Sequence, residues 1–185
     1  MGHTAPETDI YIYRTGGSKP APSFLSRAAA CHTGLAPDPL LWSVRRAEQG
    51  KPYFPNMPAL FFSISHSGGF WMCAFSSRPV GLDLQRHQPC NRAALSRRFF
   101  HPEEDKFLRQ CDYRAFFPVW SAKESYVKFT GQGIVSGLGS FSVADGRALR
   151  STVNGARLRH LFLLPGYSLC LCTEGGGPLR LALGR

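Results

Sequence analysis

The stretch Trp120-Ser121-Ala122-Lys123-Glu124-Ser125-Tyr126-Val127-Lys128 places an acid where a helix would be expected to carry a hydrocarbon. Counted by fours, Phe116, Trp120, Glu124 and Lys128 form one row, and Val127 lies beside Glu124. Glu124 is therefore expected to point inward. A carboxylate withdrawn from water is costly unless it is paired or ligates a metal, so a positive partner is expected for it. A second acid stands in Val80-Gly81-Leu82-Asp83-Leu84-Gln85, which reads as a strand. With period 2, Val80, Leu82 and Leu84 share one face, while Gly81, Asp83 and Gln85 share the other. If the helix row meets that face, Asp83, Gln85 and Glu124 offer oxygen ligands only, the preference of a hard cation such as Mg2+. Mg2+ takes one or two carboxylates and completes its shell with water and substrate phosphates, so a phosphate ester or anhydride is the expected substrate. Each acid also has a plainer reading: an i,i+4 pair with Lys128 for Glu124, and a turn cap for Asp83. Their combination favours the metal.

Composition bounds what surrounds these residues. A chain of 185 residues with 43% hydrophobic and 18% charged residues can bury a core as one compact unit or two small lobes. No apolar run approaches the length of a membrane span, and the polar start Met1-Gly2-His3-Thr4-Ala5-Pro6-Glu7 lacks a signal peptide's apolar segment, so a cytoplasmic protein without membrane contact is expected. The six cysteines contain no Cys-x-x-Cys pair and read as reduced core residues. A net charge of +10 calls for an acidic partner. The positive residues are scattered and carry no nucleic-acid motif, so specific nucleic-acid binding is not expected.

The elements that must position the acids follow from periodicity and punctuation. A strand is expected at 9–13, a helix at 23–34, and a second helix from the Asp38-Pro39 cap to about Gly50. Apolar runs at 60–65 and 70–75 form a hairpin through His66-Ser67-Gly68-Gly69. Helices are expected from Asn91 to Arg98, from Pro102 to Gln110 and from Asp112 to Phe129, where Pro118 is either a kink or the true first turn. Short strands at 140–144, 147–150, 158–164, 167–173 and 179–183 complete an α+β chain.

These landmarks resemble the Sfp-type phosphopantetheinyl transferases, the surfactin-synthetase group. In the family's order stand Gly50-Lys51-Pro52, Phe62-Ser63-Ile64-Ser65-His66-Ser67, Gly81-Leu82-Asp83-Leu84-Gln85, Arg98-Phe99-Phe100 followed by Glu104, and Trp120 through Lys128. The resemblance covers about residues 50–143. It implies two similar α+β lobes related by a pseudo-twofold axis, here residues 1–79 and 80–185, with the active site between them. It implies transfer of the 4'-phosphopantetheine arm of coenzyme A to a serine of an acidic apo acyl or peptidyl carrier protein, releasing adenosine 3',5'-bisphosphate. Mg2+ would be held by Asp83, Glu124 and Gln85, and Glu104 would be the general base. Lys51, His66 and Lys128 would contact coenzyme A phosphates with Ser65 beside them, and Lys123 would meet phosphate or solvent. Phe99, Phe100 and Tyr126 would face the carrier's helix, and the enzyme would act as a monomer.

Three departures from the family pattern stand out. Gln85 replaces the usual Glu, Ser63 replaces the usual Asn, and the basic segment that many members use on the adenosine 3'-phosphate is not evident before residue 50. Arg27, Arg45 and Arg46 are alternative substitutes for that segment. Two rivals accompany the transferase: a degenerate member that binds coenzyme A or carrier protein without efficient transfer, and a basic nucleic-acid-binding module. A hydrolase using Ser65 or Ser67 with His66 ranks well below the transferase, because adjacent residues in a hairpin rarely aim at each other and no Gly-x-Ser-x-Gly elbow is present.

Overall fold

The computed structural model describes residues 7–133 and 137–184; the polar start Met1 to Pro6 lies outside them. In chain order the elements are β1 (Thr8–Arg14), α1 (Ser23–Thr33), the ribbon β2 (Arg45–Arg46) and β3 (Pro52–Tyr53), β4 (Phe61–Ser67), β5 (Phe70–Ser76) and β6 (Val80–Arg86). There follow α2 (Arg92–Phe99), α3 (Pro102–Gln110), α4 (Phe116–Thr130), β7 (Thr152–Val153), β8 (Ala156–Leu161), β9 (Tyr167–Thr173) and β10 (Leu179–Leu183). The fold is α+β. Two four-stranded sheets, ordered β10-β1-β5-β4 and β6-β9-β8-β7, pack face to face through an apolar layer of Ile10 and Met72 against Leu82, Leu84 and Leu171. Helix α1 covers the outer face of the first sheet, and α2 to α4 cover the outer face of the second. Strand pairing crosses the division at residue 79, since β10 returns to pair in parallel with β1, Thr8 opposite Leu179.

Two local devices bring the candidate residues together. Period 2 along β6 sends Leu82 and Leu84 into the layer between the sheets and turns Gly81 and Asp83 toward α4. A β-carbon at Gly81 would overlap the Ser125 carbonyl oxygen and come within 2.5 Å of the Phe129 nitrogen, so only glycine lets α4 lie this close to the strand. The other device joins the sheets. β6 pairs with β9 along one edge, and on its other edge the N–H groups of Leu82, Leu84 and Arg86 donate to the hydroxyls of Ser63, Ser65 and Ser67 at 2.9, 3.0 and 2.9 Å. Three serines of β4 thus satisfy an edge that would otherwise hold unpaired donors.

The observed elements differ from the expected ones in four places. Asp38 caps as expected, its side chain accepting from the Leu40 N–H at 2.8 Å, but one turn follows rather than a helix. Trp42 is buried against Phe54 and donates to the Ala36 carbonyl, which draws the chain into the β2–β3 ribbon. Helix α4 begins at Phe116 because Asp112 and Tyr113 have φ of 50° and 55°, left-handed values a helix cannot continue; Pro118 lies in its first turn. In place of strands 140–144 and 147–150 there is a 3-10 turn (Leu138–Ser140) and one bridge, Ala144 to Leu149. There the Asp145 carboxylate accepts from the Arg147 and Ala148 N–H groups and folds the segment into a turn. Finally, Cys31 and Cys90 are exposed, whereas Cys73, Cys170 and Cys172 are buried; all six are free thiols.

Candidate active site

The row on α4 changes character along its length. Phe116 and Trp120 pack in the core, while Glu124 and Lys128 reach a cavity of about 470 Å³ that opens between α4, the end of β4 and the ribbon. Arg46, Lys51 and His66 also line it. Asp83 stands beside this cavity, 6% exposed. Its Oδ1 accepts from the Lys128 ammonium at 2.7 Å and from the Ser65 hydroxyl at 3.0 Å. Its Oδ2 is buried and has no hydrogen-bond partner. Glu124 is half-buried and makes no ion pair among the described residues. Burial, then the neighbouring Asp83 charge, raise its pKa above the usual carboxylate range, with Lys128 pulling the other way. The positive partner expected for Glu124 is thus spent on Asp83 instead.

The cations of the cavity are held to different degrees. Lys51 rests on the C-terminus of α4, donating to the Phe129 carbonyl at 2.6 Å, where helix dipole and free carbonyls favour a positive charge. Burial nevertheless lowers its pKa to about 8. His66 is exposed at the end of β4. Arg46 extends from the ribbon with one guanidinium nitrogen bonded to the Gly50 carbonyl at 2.9 Å, leaving further N–H donors toward the cavity. Of the three arginines that the sequence offers for an adenosine 3'-phosphate, Arg46 alone lines this cavity; Arg27 lines another, and Arg45 lines neither.

Five residues with expected roles, Ser65, Lys123, Glu104, Phe100 and Gln85, have other contacts in the structure. Ser65 is buried, and its hydroxyl donates to Asp83 while accepting from the Leu84 N–H, with Lys128 at 3.3 Å. Its one donor is used, so it orients Asp83 rather than offering a bond to phosphate. Lys123 meets neither phosphate nor solvent: it is 0% exposed and donates to Glu104 and to the Phe141 carbonyl, both at 2.7 Å. Glu104, also 0% exposed, is the third residue of a capping box on α3 and accepts from the N–H groups of Val143 and His101. Phe100, expected to face a carrier protein, is buried in the core, while Phe99 and Tyr126 are partly buried against it. The Gln85 amide is turned to the Arg86 carbonyl at 3.3 Å.

The sequence that builds this site is similar to those of known proteins. Residues 79–176 match the model of the 4'-phosphopantetheinyl transferase superfamily. The chain belongs to that superfamily. It is 41% identical over 122 residues to a 4'-phosphopantetheinyl transferase of Bacillus subtilis, covering 63% of this chain and 52% of the relative. It is 36% identical over 138 residues to the 4'-phosphopantetheinyl transferase Sfp of Bacillus subtilis strain 168, covering 68% and 60%. HetI, a 4'-phosphopantetheinyl transferase of Nostoc, is 37% identical over 95 residues. The chain therefore spans a little over half the length of the first two transferases. In this superfamily member no helix among the described residues is long and apolar enough to cross a membrane.

Proposed function

We propose that this chain transfers the 4'-phosphopantetheine arm of coenzyme A to a serine hydroxyl of an acidic apo carrier protein. The serine oxygen bonds to the β-phosphorus as the bond to the adenosine 3',5'-bisphosphate breaks. The observation that carries the reading is the buried, partnerless Oδ2 of Asp83 near Glu124, which makes no ion pair among the described residues, beside a cavity whose other charged lining residues, Arg46, Lys51 and Lys128, are cations. Two neighbouring carboxyls, one with a buried oxygen that no protein group satisfies, fit a hard divalent cation, and Mg2+ suits an oxygen-only donor set. Asp83 and Glu124 would hold it, with Gln85 completing the set through its amide oxygen or a water. Bound there, the ion would neutralise charge on the pyrophosphate.

The protein's own groups do the rest. Lys51, His66 and Arg46 receive the phosphates of coenzyme A, and Lys128, between Asp83 and the cavity, can turn from one anion to the other. Ser65 fixes the rotamer of Asp83. Proton acceptance by Glu104, which the family resemblance implies, requires Lys123 to release Oε1; its present contacts support a positioning role for the pair at the N-terminus of α3 and the 141–143 segment. The net charge of +10 suits an acidic carrier, and a nucleic-acid module would have no use for two carboxylates inside its cationic cavity. Apo carrier protein incubated with coenzyme A and Mg2+ should gain the mass of the phosphopantetheine group, and adenosine 3',5'-bisphosphate should appear in equal amount. Binding of coenzyme A without any mass gain would favour the degenerate member.

A further inference from the structure

Arg46, Lys51, His66 and Lys128 line the cavity that Glu124 enters. Lys51 and Arg46 give hydrogen bonds to main-chain carbonyls, those of Phe129 and Gly50. Lys128 differs from them. Among the described residues it alone of this group is ion-paired to an acid, its ammonium 2.7 Å from Asp83 Oδ1 and 3.3 Å from the Ser65 hydroxyl. A phosphate that lands on Lys51 or Arg46 leaves both carboxyls paired as before, whereas one that draws Lys128 away uncovers Asp83. The ammonium is free to make that move. It ends a flexible four-carbon stem in the last turn of α4, and Asp83 and Ser65 account for two of its three donors. Asp83 need not turn when the lysine leaves, because Ser65 still donates to Oδ1 and is itself fixed by the Leu84 N–H. Charge gives the exchange its consequence. Gln85 is neutral and turned to the Arg86 carbonyl, so the acids beside this cavity are Asp83 and Glu124, and the Lys128 ammonium offsets one of them. A divalent ion arriving alone therefore meets a site already part-neutralised.

We infer that Lys128 is a tethered counter-ion, one that yields Asp83 to a divalent ion as a phosphate of coenzyme A takes the lysine, so that ion and coenzyme A are admitted together. The inference rests on the reading of this cavity as a coenzyme A and Mg2+ site. An ammonium and a divalent ion compete for one carboxylate, and an anion that engages the ammonium relieves the competition. By linkage each ligand then strengthens the other. Contact between the ion and the pyrophosphate would couple them as well, so the deciding measurement is the affinity for the ion alone. Binding of Mn2+ to the full chain at neutral pH, read from the electron paramagnetic resonance signal of the free ion, gives it without turnover. Lys128→Met keeps the stem without its charge and should bind Mn2+ alone about tenfold more tightly than the wild type, the factor of one charge-assisted contact. Lys51→Met removes a cation of the same cavity that holds no carboxylate, and should change that affinity by less than about threefold. Saturating coenzyme A should close the gap, strengthening Mn2+ binding about tenfold more in the wild type than in Lys128→Met. Thermal melts confirm folding, and Lys128→Gln carries the test if Lys128→Met does not fold. Mn2+ bound equally or more weakly by Lys128→Met, an equal gain in Lys51→Met, or a gap that coenzyme A leaves open would overturn the exchange while keeping the metal site. Mn2+ bound by none of these proteins, with or without coenzyme A, would remove the metal reading and the exchange together.

Discussion

Two lysine–carboxylate pairs anchor α4, and both measure 2.7 Å: Lys123 with Glu104, and Lys128 with Asp83. They differ in what surrounds them. The first is sealed, both side chains 0% exposed; Glu104 takes two backbone N–H groups besides the lysine, which also donates to the Phe141 carbonyl. No buried oxygen or nitrogen of this pair lacks a partner, the condition under which a buried ion pair holds structure together. The second pair opens on the cavity, Lys128 being 30% exposed, and leaves Asp83 Oδ2 without a partner. An orphan oxygen at that depth is a cost the fold does not recover by itself, and it marks the place where a ligand completes the structure. Satisfaction, rather than distance, separates the structural pair from the functional one.

The comparison breaks most visibly in turnover. Asp83→Asn or Glu124→Gln should lower transfer by roughly 10³-fold or more, since the several kcal/mol that a metal contributes to phosphoryl-charge stabilisation would be lost. Glu124→Gln should not destabilise the protein, because it removes a half-buried carboxyl with no ion-pair partner among the described residues, whereas Asp83→Asn weakens the pair with Lys128 and should cost about 1–3 kcal/mol. Thermal melts alongside mass-spectrometric transfer assays check both halves; full turnover by either variant would remove the metal assignment. The sealed pair should behave in reverse. Glu104→Gln leaves a buried ammonium uncompensated and should cost about 3–5 kcal/mol of stability, read by urea unfolding. If Glu104→Gln instead melts like the wild type while single-turnover transfer at saturating carrier falls roughly 10²–10⁴-fold, Glu104 is the base.

What the sequence could say about these pairs depended on distance along the chain. Asp83 and Glu124 are legible because each breaks a short-range hydrophobic period within its own element, and the α+β class with strands at 167–173 and 179–183 follows from the same local signal. The Glu104–Lys123 pair is not legible: an α3 N-terminus and a mid-helix lysine meet only through packing, and the i+1 spacing of Lys123 from Glu124 says nothing about burial. The closure of Ser65 on Asp83 depends likewise on two sheets meeting at β4 and β6. Arg46 was one of three candidates until the expected helix after Asp38 proved to be a ribbon, a difference set by the burial of Trp42. Fold class and acids are written in local patterns; partners are written in tertiary contacts.

Smaller effects sharpen the cavity side of the comparison. Arg46→Gln should weaken coenzyme A by about 1–3 kcal/mol in calorimetry, the scale of a charge-assisted hydrogen bond. If Arg46 serves the 3'-phosphate, wild type should prefer coenzyme A to dephospho-coenzyme A and the variant should lose that preference. A preference left intact would assign Arg46 to the pyrophosphate or to the ribbon alone.

The smallest expected effect is a pH dependence, and Lys51 supplies its sign. Burial lowers its pKa to about 8, so in the free protein it is charged below that pH and increasingly neutral above it. A bound phosphate favours the ammonium and raises the pKa again, so binding above pH 8 must take up a proton. Coenzyme A affinity should therefore be level below about pH 8 and decline by up to tenfold per unit as pH rises through and beyond it, until the bound-state pKa is passed. Calorimetry in buffers of different ionisation enthalpy measures that proton directly. Lys51→Arg keeps its charge throughout and should abolish the decline, whereas the Lys123 ammonium, though burial lowers its pKa as well, is sealed with Glu104 and should not contribute. A decline that survives in Lys51→Arg would place the titrating group elsewhere in the cavity and remove Lys51 from phosphate recognition.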